Sequence, residues 1–233
     1  MIYFLAKPRG KGGLSLNEKP MSTTVLAGFL AAEGVLYAAF LALDLTGQSA
    51  DSVPTKYGGV LLCVLFALGC ALRGGDRLIP PALALTAGAD WFLLVRNDNY
   101  VVGIALFLCV QTVYYRRLRR GGASAAYPLR AGLALAAGLG LYALRLASPL
   151  NLLAGLYFSQ LLSNALLVWT KKGRRWRAFA AGLTLFVGCD LCVGLFNTLP
   201  ADSPLYPAVS VGMWLFYLPS QVLIALSALP ETE

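Results

Sequence analysis

Long apolar stretches separated by short polar ones run along the chain from about residue 24 onwards. The stretches are continuous rather than alternating, which indicates helices and not the strands of a membrane barrel. Each is long enough, or nearly so, to cross a hydrocarbon layer of roughly 30 Å. The pattern predicts eight transmembrane helices at approximately Thr24–Leu43, Tyr57–Leu72, Leu78–Val95, Tyr100–Tyr115, Leu129–Leu146, Leu150–Thr170, Ala178–Leu199 and Tyr206–Leu229.

Composition leads to the same class of protein. Of 233 residues, 58% are apolar and only 13% are charged, whereas a soluble domain has roughly 25% charged residues. The chain has no histidine, which excludes a histidine general base, a zinc site with histidine ligands and a Ser-His-Asp triad. We therefore expect an all-α polytopic membrane protein: a basic N-terminal tail over residues 1–21, followed by one transmembrane domain over residues 22–233.

The positive charges indicate the orientation of the helices. Sixteen of the 19 Lys and Arg residues fall in the tail and in the alternate loops on one side of the predicted bundle, and three fall on the other. Lysine and arginine collect in cytoplasmic loops, so we predict that both termini are cytoplasmic in a bacterial-type plasma membrane. This rule accounts for the net charge of +8 without a nucleic-acid partner.

Three acidic residues, Glu33, Asp90 and Asp190, lie inside predicted spans, where ionisable groups are costly and often functional. We expect Asp44, at a helix end, to be solvated. Asp90 and Asp190 share the pattern G-x-D-x6-N, and each lies about 18 Å from the start of its predicted helix. Four helices separate the two copies, which predicts a parallel 4+4 internal repeat with halves at residues 22–120 and 127–229.

A parallel repeat would bring the two carboxyl groups towards each other. Two close carboxyls in a medium of low dielectric do not both ionise easily, which leaves one proton donor and one carboxylate base. The alternative is a structural pair in which neighbouring donors satisfy each aspartate. Other polar residues in the spans either line the same cavity or make interhelical hydrogen bonds: Glu33, Gln111, Tyr114, Tyr157, Ser159, Gln160, Ser163, Asn164, Tyr217, Ser220 and Gln221.

Three short motifs, in order and on the expected helices, carry a resemblance. They are Gly88-Ala89-Asp90-Trp91-Phe92-Leu93-Leu94, Gly182-x-x-x-Phe186-x-x-Cys189-Asp190 and Phe216-Tyr217-Leu218-Pro219-Ser220-Gln221-Val222-Leu223-Ile224. Together they resemble the YhhN-like membrane proteins, the lysoplasmalogenase family, which also has eight helices. Gln111 stands where the family commonly has a histidine. Either that histidine has no direct role in the chemistry, or this chain lacks the activity.

The resemblance implies hydrolysis of the vinyl ether of a lysoplasmalogen to a fatty aldehyde and a glycerophospho-base. Asp90 and Asp190 would be catalytic, and the polar side chains around them would bind the lysophospholipid. This acid–base chemistry needs no metal and no organic cofactor; its logic is similar to that of the paired carboxylates in glycoside hydrolysis. The alternatives are a proton-coupled transporter or lipid-binding protein, and a helical membrane protein whose acids only fix packing.

Overall fold

A computed structural model describes residues 21–48, 51–200 and 202–230, and every regular element in these ranges is a helix. The predicted tail at residues 1–21 lies outside the described residues, apart from Met21. The helices are α1 Thr23–Leu45, α2 Val53–Ala71, α3 Ile79–Asp90, α4 Tyr100–Arg120, α5 Tyr127–Ala143, α6 Pro149–Val168, α7 Arg174–Phe196 and α8 Tyr206–Leu226.

The helix starts follow local sequence rules. Proline occupies the first turn of α2, α3, α5, α6 and α8, where its missing N–H costs least. The Ser22 and Ser148 hydroxyls accept hydrogen bonds from first-turn amides of α1 and α6. α4 extends to Arg120 and α7 begins at Arg174, beyond the apolar stretches, because arginine can extend its charged group to water from a helix end.

Six helices, α1, α2, α4, α6, α7 and α8, are long and apolar enough to cross a membrane. This agrees with an integral membrane protein. α5 has 17 residues, and α3 reaches 17 only with a five-residue π-helical turn, Trp91–Val95, that follows it. The prediction of eight helices is confirmed, whereas the prediction that all eight span the membrane stays a prediction.

The helix contacts fall into two similar sets. In the first half α1 packs on α2, α2 on α3 and α3 on α4; in the second, α5 packs on α6, α6 on α7 and α7 on α8. The halves meet where α4 packs on α6 and where α2 packs on α8. α8 also contacts α1 and α3, whereas the backbone of α5 approaches only α6 among the described helices.

The two copies of the G-x-D-x6-N pattern differ in conformation after the aspartate. The π-helical turn follows Asp90, and Asn97 then has φ +50°. α7 continues as an α-helix through Asp190 to Phe196, and Asn197 closes it with φ −82°. The local match therefore extends to the aspartates and not to the asparagines.

The carboxyl group of Asp44 is buried, so the expectation that it is solvated is wrong. Its oxygens lie 2.7 Å and 2.9 Å from Lys56 Nζ, and it also accepts a hydrogen bond of 2.6 Å from the Ser52 hydroxyl. Lys56 Nζ lies 4.6 Å from the centre of the Trp214 ring. Burial is tolerated because the charges are paired at short distance, and the contacts tie the end of α1 to α2 and α8.

Candidate functional site

Asp90 lies at the end of α3 and is only 4% exposed. The Tyr217 hydroxyl on α8 donates a hydrogen bond of 2.6 Å to Asp90 Oδ2, and Tyr217 is itself buried. Because the π-helical turn begins at the next residue, the carboxyl group sits where the regular helix ends. π-helical turns occur often at functional sites. Two predicted site residues, Asp90 and Tyr217, are thus joined directly.

Asp190 on α7 lies beside Tyr157 of α6, and the two side chains interact electrostatically. Within the described residues, neither Asp190 Oδ2 nor the Tyr157 hydroxyl forms a hydrogen bond of acceptable geometry. The carboxyl groups of Asp90 and Asp190 are close enough for their charges to interact. The structure therefore brings together four predicted residues, two acids and two tyrosines, from four helices.

Aromatic rings connect the two tyrosines. The ring of Tyr157 lies 5.5 Å from that of Phe107, Phe107 lies 5.6 Å from Phe186, and Phe186 lies 5.5 Å from Tyr217. Trp214 packs edge-on against Tyr217 at 5.5 Å. The two tyrosines beside the acids are thus bordered by aromatic rings, which lower the local dielectric and strengthen electrostatic interactions in the site.

Glu33, the third predicted acid, is 4% exposed on α1. Its Oε1 accepts a hydrogen bond of 3.3 Å from the Cys63 thiol, while its Oε2 has no hydrogen-bond partner among the described residues. A Cβ added at Gly59 would lie 3.1 Å from Glu33 Oε2 and 2.6 Å from a methyl group of Leu218. Glu33 therefore lies between α2 and α8, next to the residue that follows Tyr217.

Gln111 and Asn164 form a separate polar contact. The Asn164 amide donates to Gln111 Oε1 at 3.1 Å and to the Gln111 carbonyl at 2.9 Å, and Asn164 Oδ1 accepts a bond of 3.0 Å from Arg130. Gln160 donates at 3.2 Å to its neighbour Ser159. None of these hydrogen bonds involves an aspartate. They join α4, α5 and α6, as the interhelical interpretation of such residues requires.

Several buried polar atoms have no hydrogen-bond partner in the part of the chain that the structure describes. Such atoms are rare in native proteins and indicate places where water or a ligand is bound. They include Glu33 Oε2, Thr86 Oγ1, Gln111 Nε2, the hydroxyls of Tyr114 and Tyr157, Asp190 Oδ2, Ser220 Oγ and both amide atoms of Gln221.

Sequence reasoning missed Phe107, Trp214 and Lys56. Apolar rings carry no sequence signal that separates a site wall from ordinary membrane packing. Lys56 carries a signal, since it is a cation only four residues into α2, but in the charge count it is only one of the three cations on the side opposite the arginine-rich loops. Its contact with Trp214 connects it, through one ring, to Tyr217.

A model of the YhhN family matches residues 52–228, well over half of the chain. The chain belongs to the YhhN family. The predicted resemblance is thus confirmed, and the YhhN family is associated with lysoplasmalogenase activity. The matched residues include both aspartates and both tyrosines but not Glu33. No curated protein and no solved structure matches the chain.

Proposed function

We propose that this YhhN protein is a membrane-embedded hydrolase that cleaves the vinyl ether bond of lysoplasmalogens. The observation that carries the proposal is the pair of interacting carboxyl groups, Asp90 and Asp190, each beside a buried tyrosine. Family membership supports the same reaction. The substrate is a lysophospholipid with one alkenyl chain.

The reaction needs one acid and one base. A protonated carboxyl gives its proton to the outer carbon of the C=C bond, which leaves a positive oxocarbenium ion. The second carboxylate takes a proton from a water molecule as its oxygen bonds to that ion, and a hemiacetal forms. The hemiacetal then divides into a fatty aldehyde and the glycerol hydroxyl, with one water consumed overall. General acid–base steps of this kind contribute about 10²–10⁴-fold to a rate.

The hydrogen bond from Tyr217 distinguishes the two aspartates. A hydroxyl donated at 2.6 Å stabilises an ionised carboxylate, which favours Asp90 as the base. Asp190 Oδ2 accepts no hydrogen bond of acceptable geometry among the described residues, although the Tyr157 hydroxyl lies beside it, and this difference favours Asp190 as the proton donor. The ionised Asp90 would also stabilise the positive charge of the oxocarbenium ion.

The site lies in the half of the bundle away from the arginine-rich ends. Asp90 is five residues before the end of its π-helical turn, and Asp190 is six before the end of α7, or about 8 and 9 Å along the helices. A single-chain amphiphile could place its head group at that end and its chain among the rings. Glu33 Oε2, the Gln221 amide and the Tyr157 hydroxyl, which have no hydrogen-bond partner among the described residues, would then bind the glycerol hydroxyls or water.

The experiment replaces each aspartate separately by asparagine in the purified protein and measures aldehyde release from an alkenyl lysophospholipid. We expect a loss of at least about a hundredfold for each change. The matched control is Asp98→Asn, near the same end. The hydrogen bond from Arg96 lowers the pKa of Asp98, so this side chain is an exposed, ionised carboxylate outside the spans. Full activity in both Asp90→Asn and Asp190→Asn would contradict the mechanism.

The membrane arrangement belongs to the same proposal. We propose eight spans, termini on the arginine-rich cytoplasmic side of a bacterial-type plasma membrane, and two parallel halves at residues 22–120 and 127–229. The repeated helix contacts support the two halves. A rotation that exchanges the halves places α4 on α8 and α6 on α2, so the contact of α4 with α6 is equivalent to the contact of α8 with α2. Labelling of single cysteines placed in alternate loops, in intact and in opened cells, tests the orientation.

A proton-coupled transporter is the alternative that the repeated contacts favour, since parallel repeats with acids inside the membrane also occur in transporters. It predicts binding or flux without turnover. Uptake into liposomes that depends on a pH gradient, with no aldehyde released, would replace the hydrolase proposal by this one.

A further inference from the structure

Buried polar side chains continue from the candidate site towards the arginine-rich end of the bundle. Thr86 lies four residues before Asp90 on α3, and Gln221 lies four residues after Tyr217 on α8. Four residues make about one helical turn, or roughly 6 Å, and bring two side chains to the same face of a helix. Thr86 and Gln221 therefore each lie one turn from a member of the bonded pair of Asp90 and Tyr217.

Both turns lead to the same end of the bundle. α3 and α8 are antiparallel neighbours, because the amide of Asp76, just before α3, donates to the carbonyl of Ala228, just after α8, at 3.0 Å. Thr86 and Gln221 thus lie at one level, on the arginine-rich side of Asp90. Both are 0% exposed, yet Thr86 Oγ1 and both amide atoms of Gln221 form no hydrogen bond within the part of the chain that the structure describes.

Tyr114 on α4 adds a further polar group to this region. Its side chain lies beside Thr86, and its ring packs edge-on against Phe179 at 5.2 Å. Tyr114 is 0% exposed, and its hydroxyl forms no hydrogen bond of acceptable geometry with any described residue. Cys63, which donates to Glu33 at 3.3 Å, interacts electrostatically with Tyr114. We call these five polar residues from five helices the polar column: Glu33, Cys63, Thr86, Tyr114 and Gln221.

Arg117 lies at the arginine-rich end of the polar column, about one turn beyond Tyr114 on α4, and the two side chains interact electrostatically. The Nε of Arg117 donates to Asp76 Oδ2 at 2.6 Å, and its terminal nitrogens donate to the Ser227 hydroxyl and carbonyl at 3.0 and 2.8 Å. Arg117 and Asp76 also line a cavity of about 120 Å³. A single water needs only about 10–15 Å³ measured in this way, so several waters fit at this end of the column.

The unpaired atoms of the polar column indicate the kind of ligand that it holds. Burying an amide or a hydroxyl without a hydrogen bond is unfavourable, and native proteins contain few such groups. Internal waters bond to groups of this kind and typically make about three hydrogen bonds each. The column offers five unpaired atoms to water, counted within the described residues: Glu33 Oε2, Thr86 Oγ1, the Tyr114 hydroxyl oxygen and both amide atoms of Gln221.

We propose that the polar column holds a chain of water molecules that joins Asp90 to the cavity at the arginine-rich end. In the proposed hydrolysis, on which this part of the inference rests, the chain supplies the water that attacks the oxocarbenium ion. The water reaches Asp90, the aspartate favoured as the base, from the side opposite to the lipid head group. Substrate and water thus use opposite ends of the site, and neither has to displace the other.

Radiolytic footprinting tests for the water chain without any substrate. X-ray pulses convert water, including internal water, into hydroxyl radicals that oxidise adjacent side chains, and mass spectrometry identifies the labelled residues. The full chain in nanodiscs is compared with the same chain in denaturing detergent, which corrects for the reactivity of each residue. We expect labelling of Tyr114 and Cys63, although both are 0% exposed, and none of Phe40, which is equally buried outside the column. Equal labelling of all three, or of none, would overturn the proposal.

Variants decide whether the polar atoms of the column hold the water. Thr86→Val removes one hydroxyl at nearly constant size, so we expect less labelling of Tyr114. Aldehyde release should fall about 2–10-fold, the equivalent of one hydrogen bond. Thr86→Ser keeps the hydroxyl and should keep both the labelling and the rate. The matched control is Thr112→Val, at an exposed position on α4 where the hydroxyl donates to a carbonyl of its own helix.

The outcomes separate this inference from the proposed function. In a dry column, Thr86→Val would remove an unpaired hydroxyl and raise the thermal unfolding midpoint, so a higher midpoint with unchanged labelling would overturn the water chain. An equal loss of labelling in Thr112→Val would do the same. Labelling in a native protein that releases no aldehyde would contradict the hydrolase and still support the water chain. Lost labelling with full aldehyde release in Thr86→Val would overturn the supply of water. Gln221→Met replaces Thr86→Val in both assays if that variant does not fold.

Discussion

Replacing Tyr217 by phenylalanine isolates the most direct contact in the candidate site. The change removes one hydroxyl and leaves the ring, whose neighbours Phe186 and Trp214 each lie 5.5 Å away. Any effect therefore comes from the hydrogen bond of 2.6 Å to Asp90 Oδ2 and not from lost packing.

The size of the effect follows from the geometry. An O–H···O distance of 2.6 Å falls within the range of about 2.5–2.7 Å for a hydroxyl bonded to an ionised carboxylate. A hydrogen bond to a charged group contributes roughly 1.5–3 kcal/mol. We expect the free energy of unfolding to fall by about that amount in Tyr217→Phe, because Asp90 is left buried without its donor. The same free energy corresponds to a loss of roughly 10–150-fold in aldehyde release if Asp90 must be ionised in turnover.

The assay pairs this variant with Tyr157→Phe. Both are purified in the same nanodiscs, and chemical unfolding and aldehyde release are measured side by side. The Tyr157 hydroxyl makes no hydrogen bond of acceptable geometry among the described residues, so its removal should cost less than about 1 kcal/mol. An unchanged free energy of unfolding together with a rate within twofold of that of the native protein in Tyr217→Phe would refute the reasoning, and so would an equal loss in both variants.

Three further predictions concern other contacts. Gly182→Ala should lower the free energy of unfolding by about 1–3 kcal/mol in thermal unfolding, because the added Cβ would lie 2.8 Å from Ile224 Cγ1. In the control, Gly194→Ala, the added Cβ meets nothing within 4 Å and should cause no loss of stability. Lys56→Met should lower the free energy of unfolding by about 3–5 kcal/mol, because it leaves the carboxylate of Asp44 buried and unpaired. Adding Asp44→Leu should recover most of this loss in the same thermal unfolding assay, and no recovery would contradict the ion-pair account. Gln111→His should change aldehyde release by less than about tenfold, since Gln111 bonds Asn164 rather than an aspartate; a gain of about a hundredfold, the size of a general acid–base step, would show that the family histidine acts directly.

Much of the fold could be predicted because a helix that crosses the hydrocarbon layer of a membrane has to be long and apolar. Long apolar stretches in a chain of this composition give helices, and all eight appear near the predicted places. The ends were less predictable, as α4 shows by running to Arg120. A helix end predicted from apolar residues falls at the first arginine. The helix itself continues further, because the long arginine side chain reaches water while the backbone stays helical.

The site could be predicted in part, for a related reason. Asp90, Asp190 and Glu33 stand out because charged groups are rare in membrane spans, and burial of Glu33 and Asp90 agrees with that reasoning. Which donor faces which acid depends on helix rotation, and the sequence does not contain that information directly. The contact between Tyr217 and Asp90 spans 127 positions, and the π-helical turn after Asp90 has no pattern that distinguishes it from an α-helix.

The position of α8 has a consequence for biosynthesis. Helices α1 to α4 contact one another in chain order, and so do α5 to α8, but α8 must also return to α2, α1 and α3 at the beginning of the chain. It brings Tyr217 to Asp90 only then. A ribosome-bound chain that has released its first seven helices therefore holds both acids without the hydroxyl of Tyr217. The proposed activity would arise only once α8 enters the bilayer, rather than gradually as the preceding helices are made.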